Sequence, residues 1–183
     1  MATRSLVTGL VLALVLALTA GPAAADEPGR VFNGRIMTST KRFPQTAKSP
    51  GQFIANVRKL QQSNFYEDKT DHSWTIYFVA FLKSPLNDVE YMLKFYDVSN
   101  GQGQQLLTTS ESFNDTRGQT SIASKIKLDK QLVGVNKEIL VTLENKGKVY
   151  ASTRIKILGE GEHYTGKVNF SDDDANGSGG GGE

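Results

Sequence analysis

The sequence predicts a mainly β protein, an antiparallel β-sandwich with one short helix near its N-terminus. Three observations predict it. The stretch Trp74–Val98 holds the only Trp, three of the six Tyr and three of the nine Phe, and its apolar residues recur with the period of two that a strand requires. Between Trp74 and Phe170, roughly six or seven such runs are separated by turn signals about every 8–12 residues, the spacing of sandwich strands. Strand-like runs do not alternate with helix-like ones, which argues against a parallel α/β fold. No repeat with a period of roughly 20–50 residues marks a solenoid or propeller.

Residues 1–25 read as a secretory signal peptide. Arg4 supplies the positive end, Leu6–Ala20 the apolar run and Ala23-Ala24-Ala25 the small residues before a cut, with Asp26-Glu27-Pro28 following. The apolar run, about 15 residues, is shorter than the roughly 20 that a membrane-spanning helix needs. Residues 26–48 form a polar leader with room for a short strand around Arg35–Thr40. The sandwich domain is expected over 49–170. Its first element is a helix from about Pro50 to Gln62: Ser49 is a good cap, Pro50 suits the first turn, and Phe53, Ile54, Val57 and Leu60 form one stripe. A strand with Phe53, Ala55 and Val57 inward is the competing reading, and the cap favours the helix. Ser63–Ser73 is mostly polar and reads as a loop.

In the central stretch, Trp74, Ile76, Phe78, Ala80 and Leu82 share one face and Thr75, Tyr77, Val79 and Phe81 the other. Both faces are apolar, as in a strand covered on both sides. Pro85, Asn87 and Asp88 form turns, so Trp74–Val98 is expected to be a hairpin. Ser99–Gly103 is a turn, Leu106–Ser112 a short strand, and Ser121–Leu128 a strand with Ile122, Ile126 and Leu128 inward. Glu138–Glu144 and Lys148–Leu158 flank Asn145-Lys146-Gly147 as another hairpin. Lys167–Phe170 has the pattern of a last strand. Residues 171–183, acidic and Gly-rich with no large apolar side chain, are expected to be disordered.

Composition limits the chemistry. There is no Cys, so disulfides, thiol nucleophiles, Cys-ligated metals and an N-terminal lipidated Cys are excluded. The formal charge is +2 but unevenly spread. Asp172, Asp173, Asp174 and Glu183 make the tail acidic and leave the body mildly basic. A solubility role is the plain reading of that tail. The sharper one is a tail that folds back on a basic face and competes with an anionic partner.

Trp74-Thr-Ile-Tyr-Phe-Val-Ala-Phe81, Pro85-Leu-Asn-Asp-Val-Glu90 and His163-Tyr-Thr-Gly-Lys-Val-Asn-Phe170 resemble a group of uncharacterised exported bacterial β-sandwich proteins, over about residues 74–170. The strand layout is also similar to immunoglobulin-like sandwiches, without the Cys pair of antibody-type domains. The resemblance implies architecture and carries no catalytic residue, ligand or partner.

Few residues invite a chemical role. Asp68, Asp71 and His72 lie within five positions and are the candidates for a divalent metal or for a hydrolase site. His163 has no His-Glu-x-x-His pattern around it. Asp172-Asp173-Asp174 lacks the alternation and distal Glu of a calcium loop. There is no nucleophile elbow and no phosphate-binding loop. Lys125, Lys127, Lys130, Arg154 and Lys156 suit exposed strand faces better than a nucleic-acid stripe. The leading expectation is an exported, non-enzymatic interaction or structural module of the cell envelope or exterior, periplasmic or extracellular. It needs no cofactor and no membrane span after cleavage, and its partner is another envelope or extracellular protein rather than nucleic acid. Phe65, Tyr66, Met92, Tyr96 and Tyr164 are the expected contact residues. The alternative is a small-ligand or carbohydrate-binding sandwich with Trp74 or a loop Tyr as stacking platform.

Overall fold

Apolar residues on both faces of the central strand set the layers of the computed structural model, which describes residues 27–101 and 103–160. In chain order the elements are α1 (Pro28–Val31), β1 (Arg35–Ser39), α2 (Pro50–Leu60), β2 (Asn64–Glu67), β3 (Ser73–Leu86), β4 (Glu90–Asp97), β5 (Gln105–Phe113), β6 (Gln119–Asp129), α3 (Lys130–Val133), β7 (Lys137–Asn145) and β8 (Lys148–Glu160). The signal peptide, His163, Tyr164, the strand expected at 167–170 and the acidic tail lie outside the described residues.

The strands form one continuous curled sheet in the order β5–β4–β7–β8–β1–β3–β6, with β2 beside β8, and its two halves, β1–β3–β6 and β5–β4–β7–β8, face each other as the two sheets of a sandwich. Their ladders are antiparallel. Two parallel contacts join them along one side: β1 meets β8 through Arg35 and Ser152, and β2 runs beside the end of β8. These neighbours are those of an immunoglobulin-like sandwich. β1 and β2 act as two halves of its first strand, with α2 inserted between them.

The inner faces make the main core. Trp74, Ile76, Phe78 and Ala80 from β3 meet Leu93 and Phe95 from β4, Ile139, Val141 and Leu143 from β7, and Ile155 and Ile157 from β8. Trp74 is 1% exposed, and its indole N–H donates to the Leu158 carbonyl at 3.0 Å, tying the two sheets together. The outer face of β3 builds a second core. Val79 and Phe81, with Met37 of β1, pack beneath Ile54 and Val57 of α2, flanked by Phe32 and Phe43. Burying a residue such as Val57 contributes about 1.5–3 kcal/mol.

Helix α2 follows its local signals. The Ser49 Oγ accepts from the Gln52 N–H at 3.2 Å, and Pro50 occupies the first turn. The β7–β8 hairpin also forms where its turn sequence places it. Lys146 and Gly147 take φ of +49° and +80°, the positive pair that a two-residue turn needs.

Three expectations are corrected. β3 and β4 are not a hairpin, because β3 pairs with β1 and β6 whereas β4 pairs with β5 and β7. The Asn87–Val89 connection crosses between sheets, with Leu86 fully buried at the end of β3 before it. Secondly, Ser63–Ser73 contains β2, a four-residue strand that exists through pairing with β8. Thirdly, the folded body begins before residue 49. Phe32, Met37 and Phe43 of the leader are buried.

Replacing Ser49 with Ala leaves the Gln52 N–H without its side-chain acceptor. The Ser49→Ala chain is expected to lose about 1 kcal/mol of stability, read as a lower urea midpoint at unchanged slope.

Candidate functional site

The turn between β2 and β3 carries the residues that looked most like chemistry. The Asp68 N–H donates to the Ser73 carbonyl at 2.9 Å, and the His72 N–H to the Asp68 carbonyl at 3.0 Å. His72 has φ of +51°, a turn conformation that His tolerates better than most residues. The side chains then diverge. The Asp68 Oδ1 accepts from the Thr70 N–H at 2.8 Å. Asp71 accepts from Ser73 Oγ at 2.5 Å and pairs with Lys127 at 2.6 Å. The His72 Nδ1 lies 2.7 Å from Glu67 Oε1, which also takes Lys130 Nζ at 2.9 Å. Hydrogen bonds from Lys130 and then His72 hold the buried Glu67 carboxyl below its usual range. Lys127, and secondarily Ser73, do the same for Asp71.

In this arrangement the Asp68, Asp71 and His72 side chains share no hydrogen-bond partner among the described residues. The three side chains serve separate partners. No group of three His, Asp or Glu that could hold a metal occurs among the described residues. Asp71 fastens the β2–β3 turn to β6 through Lys127, and Glu67 fastens it to α3 through Lys130.

The expected contact residues divide. Phe65 is corrected: it is 1% exposed and lies in the main core, because its place on β2 turns it inward beside Glu67. Tyr66, the next residue, is 61% exposed. Met92 and Tyr96 are half-buried on the outer face of β4, beside the Lys94–Glu144 pair at 2.7 Å. Burial of Trp74 removes it as a stacking platform for carbohydrate.

Sequence reasoning passed over the strand with the most open edge. Among the described residues, β5 pairs only with β4, and β6 only with β3. None of the nine residues of β5 is buried. Leu106 is 50% and Phe113 72% exposed. Its one charge is Glu111. β6 differs: Lys125 and Lys127 stand along it, the common guard of a free edge. Between the two strands lies a recess of about 300 Å³, with Phe78, Leu93 and Phe95 from the core at its floor, Ser110 on one wall and Ile126 and Leu128 on the other. The Thr, Ser and Phe content of 108–113, with one charge and no Lys or Pro, was the available signal.

Two acids fix the ends of β4. Asp88, just before it, pairs with Lys146 at 2.9 Å. Asp97 pairs with Lys137 at 2.8 Å. The Lys146 hydrogen bond and the Val89 N–H bring the Asp88 carboxyl down to about 2. Lys137, and then Ser99, bring Asp97 down to about 2.

No protein-family model and no curated protein matches the chain. Among solved structures, an immunoglobulin-like protein from Pseudomonas aeruginosa aligns with 68% of this chain and 93% of its own, at 10% identity and a TM-score of 0.35.

The Asp88 and Asp97 carboxyls have lower pKa values in the folded than in the unfolded chain, so the unfolded state binds more protons as acid is added. Their contribution is complete above the usual value of 3.8 and is lost as pH falls towards about 2. The urea midpoint is expected to drop across that window. An Asp88→Asn, Asp97→Asn chain is expected to be less stable at neutral pH and to show a flatter profile below pH 4.

Proposed function

We propose that the protein is an exported, non-enzymatic interaction module of the cell envelope or exterior, which binds another protein there by taking an extended segment of it onto the β5 edge. The observation that carries this reading is the open edge itself. Its outward N–H and C=O groups have no strand beside them among the described residues, and these groups are what an added strand pairs with. The β4–β5 register shifts between Phe95 and Tyr96, so Thr108–Phe113 is the regular stretch. The neighbouring recess has Phe78, Leu93 and Phe95 at its floor and a mainly polar wall that includes Ser110, Ser112, Ser124 and Lys127. Exposed Leu106 and Phe113 extend the apolar contact at both ends.

The export signal in residues 1–25 supports the location. No helix among the described residues is long and apolar enough to cross a membrane.

A photocrosslinking residue at Thr109, in the full chain expressed in its own cell, tests the reading. An adduct with a second polypeptide is expected from Thr109 and not from exposed Lys83. Ser112→Lys, which adds the missing guard, is expected to lower the Thr109 adduct about tenfold, the equivalent of about 1.4 kcal/mol of binding. Equal adducts from Thr109 and Lys83, or an adduct indifferent to Ser112→Lys, would refute edge binding.

A further inference from the structure

We infer that the recess between the 41–48 loop and β6 is a binding site for an oxyanion, a carboxylate or phosphate group, gripped by Arg42 and Lys125. The recess has a volume of about 220 Å³, and Arg42, Phe43, Gln45, Tyr77, Ser124 and Lys125 line it, with no Asp or Glu in its wall. Arg42 comes from the loop after β1 and Lys125 from the middle of β6. The fold brings the two cations to one concavity.

Neither cation has an acidic partner among the described residues. The ion pairs there engage His72, Lys94, Lys127, Lys130, Lys137, Lys146 and Arg154 instead. The contrast along β6 is direct. Lys127 is neutralised by Asp71, while Lys125, two residues earlier on the same face, lines the recess with no acidic partner among the described residues. The side chains of Gln45, Tyr77 and Ser124 also make no hydrogen bond among the described residues. The recess therefore collects donors: a guanidinium with five N–H groups, an ammonium, an amide and two hydroxyls. Charge-assisted bonds from such groups are the strong kind for carboxylate or phosphate.

The surroundings favour the same sign. From Pro28 to Tyr66 the chain contains no Asp or Glu, while Arg and Lys recur through it. A concave site in a field of one sign concentrates ions of the other. Phe43 is 6% exposed and anchors the loop in the core beneath α2, so Arg42 beside it is held at the rim. The volume is below the roughly 300–1,000 Å³ of sites that enclose whole drug-sized ligands. It fits a small oxyanion or one acidic end group. Two sources supply that chemistry: a free small anion, or the carboxylates of the chain's own Asp172-Asp173-Asp174 run.

The test is a titration of the 15N-labelled full chain with inorganic phosphate at constant ionic strength, followed by amide shifts. Saturable shifts confined to residues 42–45, 77 and 123–125 are expected. Arg42→Gln and Lys125→Gln are each expected to weaken binding about tenfold, as loss of a charge-assisted contact does, and Lys59→Gln to leave it unchanged. Shifts that never saturate, that spread equally to Lys48, Arg58 and Lys59, or that survive both recess variants would overturn the site. An Asp172→Asn, Asp173→Asn, Asp174→Asn chain separates the sources. Tighter phosphate binding in it identifies the tail carboxylates as the resident anion. Unchanged binding identifies a free anion. Both results uphold the oxyanion site.

Discussion

Trp74, Ile76, Phe78 and Ala80 point into the sandwich while Val79 and Phe81 point out of it, so β3 must be covered twice. The second sheet covers one side and α2 the other. A sandwich strand ordinarily turns its outer face to water. Here that face is too apolar, and a helix is inserted between the halves of the first strand to bury it. The interruption is tolerated because β1 and β2 each find β8 in parallel. The indole N–H of Trp74 then reaches the Leu158 carbonyl, so one side chain serves both hydrophobic closure and a polar link across the sheets.

Charge is sorted by place. Asp71, Asp88, Asp97, Glu138 and Glu144 each meet a Lys or Arg, and Glu67 meets both Lys130 and His72. Most of these pairs span two elements. They fix a turn or a strand end, and being partly exposed they set geometry more than stability. The helix layer carries bases without acids, and that imbalance is left open to solvent. The two outer edges are likewise unequal, one with lysines and one nearly free of charge. A surface asymmetric in both respects offers partners two distinct kinds of contact.

What was legible in the sequence was what neighbours in the chain decide. The α2 cap and stripe, the Asn145-Lys146-Gly147 turn, the alternation of β6 and the two apolar faces of β3 are all local patterns, and each element stands where they placed it. What was not legible depends on distant residues. Pro85, Asn87 and Asp88 favour a turn whether the chain returns along the same sheet or crosses to the other, so they could not distinguish a hairpin from the observed crossover. Four residues at β2 are too few for a period to register, which hid both the strand and the inward direction of Phe65. The acids near His72 suggested a metal site because spacing alone does not reveal that Lys127, Lys130 and Glu67 intervene. Arg42 and Lys125 carried no joint signal. The absence of acids between Pro28 and Tyr66 was a visible hint that the layer would be unbalanced.

The long β8 has a consequence for the order of assembly. It is the partner of β7 and of both halves of the first strand, and β2 has no other ladder among the described residues. Its parallel contacts pair Arg35 with Ser152 and Asn64 with Lys156, residues far apart in sequence. Closing the sandwich along this side joins segments from opposite ends of the described chain. Such nonlocal closure is slow relative to helix or hairpin formation.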